Sequence, residues 1–170
     1  MLFRCTTKAP ATDHGHTEVV NNGSKHFTVD VHCHVHVLEA DAMLADPAVA
    51  DQAKLYKEAN ELTGEINRQQ HKDILPKLTD PSVRIADMDR CGIDVQALSP
   101  SPFHYNYAYP AEFARETSVV VNDHIAGIVS GDPDRFVGLC TVPLQDADMA
   151  VAELERCVNQ HGMRGVEIST

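Results

Sequence analysis

No stretch of the chain approaches the ~18 consecutive apolar residues of a membrane-spanning helix, and Met1 to Pro10 lacks the apolar core of a secretory signal. Basic residues are also scarce. Fourteen Lys and Arg stand against 25 Asp and Glu, a formal charge of -11 over 170 residues, which argues against a partner held through a phosphate backbone. The five cysteines, Cys5, Cys33, Cys91, Cys140 and Cys157, are an odd number, widely spaced and without a C-x-x-C pair. Neither a disulfide framework nor a Cys-rich zinc site is suggested, and the thiols read as reduced core filler. With 43% hydrophobic and 23% charged residues, the expectation is a cytoplasmic globular protein that binds neither nucleic acid nor membrane.

Residues 1 to 26 carry Pro10, Gly15 and Asn21-Asn22-Gly23 and no sustained apolar period, so they read as a loose N-terminal extension. Asp13 and Glu18 count against a transit peptide. From Phe27 the sequence turns β-branched through Val31, then rich in helix formers from Val37 to about Leu62, interrupted at Pro47. Residues 63 to 79 are ambiguous, with Gly64 and Pro76 as breakers. Asp80, Pro81 and Gly92 then frame a helix as N-cap, first residue and stop. A strand is predicted over Ile93 to Ser99. A helix from Pro110 follows, with Phe113, Thr117, Val120, Val121, His124, Ile125, Ile128 and Val129 on one stripe. Arg135 to Val142 is a third strand. Asp146 opens a helix whose predicted buried stripe is Ala150, Val151, Leu154, Cys157 and Val158, and Arg164 to Thr170 is a fourth strand.

Strands that alternate with helices imply parallel pairing. A doubly wound nucleotide-binding sheet would place a glycine-rich turn after its first strand, but the sequence there is His32-Cys33-His34-Val35-His36, and G-x-G-x-x-G occurs nowhere. The alternative is a (β/α)8 TIM-like barrel, which carries its chemistry at the C-terminal strand ends, where these histidines fall. On that reading about the first four βα units are present. Residues 27–170 form an N-terminal barrel half.

In the segment D-V-H-C-H, strand alternation puts Asp30, His32 and His34 on one side, so two imidazoles are brought toward one ion. Zinc or another divalent metal accepts neutral imidazole, and a catalytic site usually has three protein ligands, so more donors are required. The competing reading makes both histidines hydrogen-bonded residues at a strand end. His36 has the same parity but reads as a solvated loop residue.

Three blocks, D-V-H-C-H, D-P-S-V-R-I-A-D-M-D-R-C-G-I-D-V-Q-A-L-S and N-D-H-I-A-G-I-V-S-G-D-P-D-R-F-V-G-L-C-T-V-P-L-Q, occur in this order. Together they resemble the amidohydrolase-related metal-dependent decarboxylases, from about Phe27 to Thr170 and weakly between Leu38 and Pro76. The resemblance implies a barrel of the metal-dependent hydrolase superfamily with His32 and His34 as first-strand zinc ligands. It also implies a third histidine ligand, a proton-shuttle histidine and a final aspartate, all expected beyond Thr170. The implied reaction is zinc-dependent nonoxidative decarboxylation of an unsaturated amino acid semialdehyde, a small carboxylate, with a homodimer as the assembly. An arginine is implied for the substrate carboxylate, and Arg68 is the candidate. An amidohydrolase-type hydrolase or hydratase, or an inactive truncated fragment, are the alternatives.

Ser99, Ser101, Thr141, Ser169 and Thr170 follow strands and either line a pocket or cap the next element. The Phe103-His104-Tyr105-Asn106-Tyr107 loop either covers the site mouth or packs on its own rim. His124 reads as a hydrogen-bonded core residue. His71 and His161 read as surface residues, and Glu153, Glu155 and Arg156 as a solvated helix face.

Overall fold

The computed structural model describes residues 27–45 and 61–169. The N-terminal extension, the Pro47 break and Thr170 lie outside the described residues. The elements are β1 (Val29–Val35), α1 (Leu38–Leu44), α2 (Glu61–Thr79), α3 (Pro81–Cys91), β2 (Val95–Pro100), a 3-10 turn (Pro102–His104), α4 (Ala111–Gly131), β3 (Phe136–Cys140), α5 (Ala147–His161) and β4 (Gly165–Val166). The strands form one sheet in the order β1-β2-β3-β4, every pair parallel. This is the α/β alternation the sequence predicts.

Cap chemistry sets the helix ends. The Asp80 carboxylate accepts from the Ser82 amide at 2.8 Å, Pro81 opens α3, and Gly92 closes it at φ 70°. In α5 the Asp146 carboxylate accepts from the Met149 amide at 2.9 Å, and Gly162 ends the helix at φ 66°. Residues 63–79 resolve as helix despite Gly64 and Pro76. Pro76 falls in the last turn of α2, where its missing N–H removes a single bond, and its carbonyl still accepts from the Asp80 amide at 3.0 Å. The fourth strand is shorter than predicted. After Val166 only one further bond continues the ladder direction, from the Glu167 amide to the Cys140 carbonyl at 2.9 Å.

The two faces of the sheet differ. Asp30 pairs with Gln96, but Cys33 pairs with Leu98, so β1 carries one extra residue between those points, a bulge. Alternation is broken there. Asp30 shares its face with Gln96, Cys33, Leu98 and Gly138, the face against the helices, while His34 shares the opposite face with Ser99. The predicted co-facing of Asp30 with the two histidines is thereby corrected. On the helix side, Cys33, Val35, Leu98, Phe136 and Cys140 pack with Met88 of α3, Val121 and Ile125 of α4 and Cys157 of α5. Gly138 makes room for Met163: a Cβ there would lie 3.2 Å from Met163 Cγ, closer than ordinary contact, whereas Ile125 and Val129 of α4 would stand at an ordinary 3.5 Å.

The stripe of α5 is narrower than predicted. Ala150, Leu154 and Cys157 pack on the core, but Val151 and Val158 are 55% and 44% exposed. Glu153, expected on a solvated face, is instead buried. Four residues separate it from Cys157, so both lie on the side of α5 that meets α4 and the sheet. Among the described residues, no helix is long and apolar enough to cross a membrane.

Candidate active site at the C-terminal strand ends

His32 and His34 lie at the C-terminal half of β1, and their Nε2 atoms are 3.0 Å apart with the rings edge-on. The orientation of His34 is fixed from behind. Its Nδ1 lies 2.9 Å from the Pro100 carbonyl oxygen, which can only accept, so Nδ1 carries the proton and Nε2 presents a lone pair toward His32. Ser99 Oγ is a second neighbour of Nδ1 at 3.2 Å. His32 is exposed and its amide donates to the Asp30 carboxylate at 3.2 Å. Two ring nitrogens this close can share a proton. Alternatively they can share a cation at the ~2.0 to 2.1 Å typical of imidazole ligation, and the donor set suits a borderline divalent ion.

Arg84 of α3 holds this strand end from the helix side. Its guanidinium donates to the His34 carbonyl and, at 3.3 Å, to Gln96 Oε1. Burial lowers its pKa. Burial, reinforced by the neighbouring Asp30 carboxylate, raises the pKa of the Cys33 thiol, so Cys33 stays protonated as a core residue.

Glu167 follows β4, and its Oε2 lies 3.9 Å from His34 Nδ1, buried and without a hydrogen-bond partner among the described residues. Burial and a hydrogen bond to Glu167 push the Tyr105 hydroxyl upward, keeping it a neutral donor. Tyr107 stacks on Tyr105 at 5.6 Å, and its hydroxyl accepts from the Ser169 amide at 3.3 Å. The aromatic loop therefore reaches from the end of β2 to the residues after β4, across the strand ends. Asn106 makes the turn possible: it sits at φ 53°, a conformation that asparagine tolerates, and donates to Thr117 Oγ1 at 3.0 Å.

The other candidates separate. Ser99, Ser101 and Thr141 are buried, and Thr141 Oγ1 has no partner among the described residues. Arg68 is exposed on α2 and lines a shallow depression together with Leu62, Glu65, Ile66, Gln69 and Lys72 of the same helix. His124 is half-buried, with Nδ1 3.6 Å from Glu39. His161 and His71 are also half-buried rather than free surface residues: His161 Nε2 is 3.0 Å from Asp123, and the His71 ring stands edge-on to His36 at 5.0 Å.

His36 departs most from its sequence reading. It is buried, and its Nε2 is 2.6 Å from the Asp41 carboxylate. α1, the 3-10 turn and α2 bring Asp41, His104, Phe103 and His71 around it, and none of these is visible from its immediate neighbours in sequence. His104 is fully buried, and desolvation lowers its pKa to about 4.

Sequence reasoning did not single out Arg84, Asp41 or Glu167. Arg84 had one signal in the sequence, its position four residues before Met88, which puts it on the same face of the helix.

A parallel sheet with helices on one face, and with polar groups gathered at its C-terminal strand ends, defines the α/β class of TIM-like barrels. The family described as Amidohydrolase matches residues 29–170, and the chain belongs to it. A 2-amino-3-carboxymuconate-6-semialdehyde decarboxylase of Dictyostelium discoideum is 37% identical over 91 residues, covering 54% of this chain and 25% of that protein. A gamma-resorcylate decarboxylase of Polaromonas is 35% identical over 86 residues, covering 51% and 26%. The solved 5-carboxyvanillate decarboxylase of Novosphingobium aromaticivorans, with bound manganese, superposes with a TM-score of 0.64 at 26% identity, covering 87% of this chain and 43% of that one. The chain thus spans about a quarter of the two curated relatives' length. Those relatives are decarboxylases, and the manganese of the third is direct evidence of a divalent metal in this family.

Proposed function

We propose that the chain is the first-strand metal-binding part of a nonoxidative decarboxylase whose substrate is an unsaturated amino acid semialdehyde, with zinc as the ion. The observation that carries this reading is the 3.0 Å approach of His32 and His34 Nε2 on the inner face of the sheet, with His34 Nδ1 already engaged by Pro100. The two imidazoles would hold the ion, and its positive charge would stabilise the negative charge left on the substrate as carbon dioxide departs. Pro100 and Ser99 orient His34, while Arg84 secures its backbone. Tyr105 offers a neutral hydroxyl beside the inner face, and Glu167 sets its position.

On this reading residues 27–170 are the N-terminal half of a barrel in a cytoplasmic enzyme, and residues 1–26 are an extension to it. The third histidine, the shuttle histidine and the last aspartate come from the other half, and a homodimer is the assembly. The similarity to the Dictyostelium decarboxylase supports this choice of substrate.

The test is metal analysis of the full-length gene product, together with carbon dioxide release from 2-amino-3-carboxymuconate-6-semialdehyde. About one zinc per chain at this site, lost in a folded His32→Ala/His34→Ala variant, with carbon dioxide released by the unaltered protein, is the expected result. Stoichiometric metal without release of carbon dioxide would transfer the site to a hydrolase or hydratase reaction. Metal content unaffected by the double substitution would refute the site itself.

A further inference from the structure

A second group of metal-competent side chains lies apart from the His32–His34 pair. His36 comes from the corner after β1, Asp41 from α1 and His104 from the 3-10 turn after β2. The ligand atoms of the three residues all lie within 4.8 Å of one another. Asp41 Oδ2 is 2.6 Å from His36 Nε2, and Asp41 Oδ1 is 3.3 Å from His104 Nε2. The two rings are 4.8 Å apart and tilted by 34°.

Both histidines are buried, whereas the Asp41 side chain is 42% exposed, so the cluster opens to solvent on the carboxylate side. Neither ring has a partner at Nδ1 among the described residues. Each imidazole is therefore oriented through Nε2 alone, and both Nε2 atoms address the same carboxylate. Three segments separated in sequence deliver two nitrogen donors and one oxygen donor to a single point with a path to solvent.

We propose that His36, Asp41 and His104 form a second divalent-metal site, distinct from His32 and His34, which takes a borderline transition ion such as zinc. Two imidazoles and a carboxylate suit such ions, and three protein donors leave a coordination position for water or an anionic oxygen. The bound ion ties the β1–α1 corner to the turn that leads into the aromatic loop. This assignment is independent of the function proposed above, since it uses none of the same ligands.

The test uses the chain freed of metal with a chelator and titrated with Co2+, followed by calorimetry and by visible absorption, with circular dichroism to verify folding. The His32→Ala/His34→Ala variant should still bind one equivalent of Co2+. Adding Asp41→Asn to that background should weaken binding at least tenfold and diminish the visible bands. His36→Gln in the same background should do likewise, which guards against a fault peculiar to one substitution. A folded His32→Ala/His34→Ala variant that binds no Co2+ would overturn this site and leave the first intact. Binding that persists unchanged in both added variants would overturn it as well, and would make Asp41 a hydrogen-bond acceptor for two histidines and nothing more. A stoichiometry insensitive to the His32 and His34 changes, but abolished by Asp41→Asn, would support this site and count against the first.

Discussion

Replacing Glu153 with glutamine tests whether a charge buried between α4 and α5 holds the sheet in place. The Glu153 carboxylate accepts from Asn122 Nδ2 at 2.7 Å and from the Arg156 Nη2 and Nε atoms at 2.8 Å each. Asn122 is fully buried and clasps the end of β3, donating to the Thr141 carbonyl and accepting from the Thr141 amide at 2.9 Å each. In Glu153→Gln one oxygen becomes an NH2 group, which faces an Arg156 donor in either orientation and the Asn122 amide as well in one of them. Hydrogen bonds to charged groups contribute about 1.5–3 kcal/mol. The partial exposure of Arg156 and its remaining bond to Asp123 at 2.6 Å discount that range. A loss of about 2 kcal/mol is expected, which lowers Tm by roughly 4–8 °C for a chain of this size.

Acid gives an independent check. Burial opposes ionisation of Glu153, but the hydrogen bonds from Arg156 and Asn122 prevail and hold its carboxyl below the usual range. A depressed carboxylate stabilises the folded chain above its unfolded pKa of about 4.3, and that contribution vanishes as pH falls through the folded value. The stability gap between the unaltered chain and Glu153→Gln should therefore be constant near neutrality and close progressively below about pH 4.3. Urea unfolding followed by circular dichroism at a series of pH values measures both. A gap under about 0.5 kcal/mol at pH 7, the size of an ordinary surface substitution, would refute the reasoning. So would a gap that does not narrow in acid.

Arg84→Met keeps most of the buried volume but removes the donor to the His34 carbonyl; Co2+ affinity at His32 and His34 should fall about 10–100-fold, as for lost outer-shell partners, in a calorimetric titration. Gly162→Ala places a side chain at φ 66° and should cost about 1 kcal/mol with no new clash, since nothing lies within 4 Å of the added carbon; urea denaturation midpoints measure this. Asp146→Ala removes the cap on the Met149 amide and should destabilise by about 1 kcal/mol, read as a Tm shift in differential scanning calorimetry.

Much of the framework is legible along the chain because the deciding contacts are local. Asp80, Pro81 and Gly92 mark α3, Asp146 and Gly162 mark α5, and in each helix the cap contact spans only a few residues. The H-x-H of β1 is legible too, since a two-residue period carries the two histidines together. The position of Asp30 was not, because the bulge in β1 shows only in its register against β2. For His36 and Glu153 the local rule predicts exposure, and partners far along the chain overrule it: His104 stands beside one, Asn122 beside the other.

From sequence alone, the alternation of strands and helices, the helix ends and the paired histidines of β1 were determined, since propensity, capping and strand period act over a few residues. Tertiary structure alone decided which polar groups are buried and which of them meet. The carboxylates of Asp41, Glu153 and Glu167 meet side chains from distant segments, His104 lying 63 residues from Asp41 and His34 lying 133 residues from Glu167, and no local pattern encodes contacts of that range.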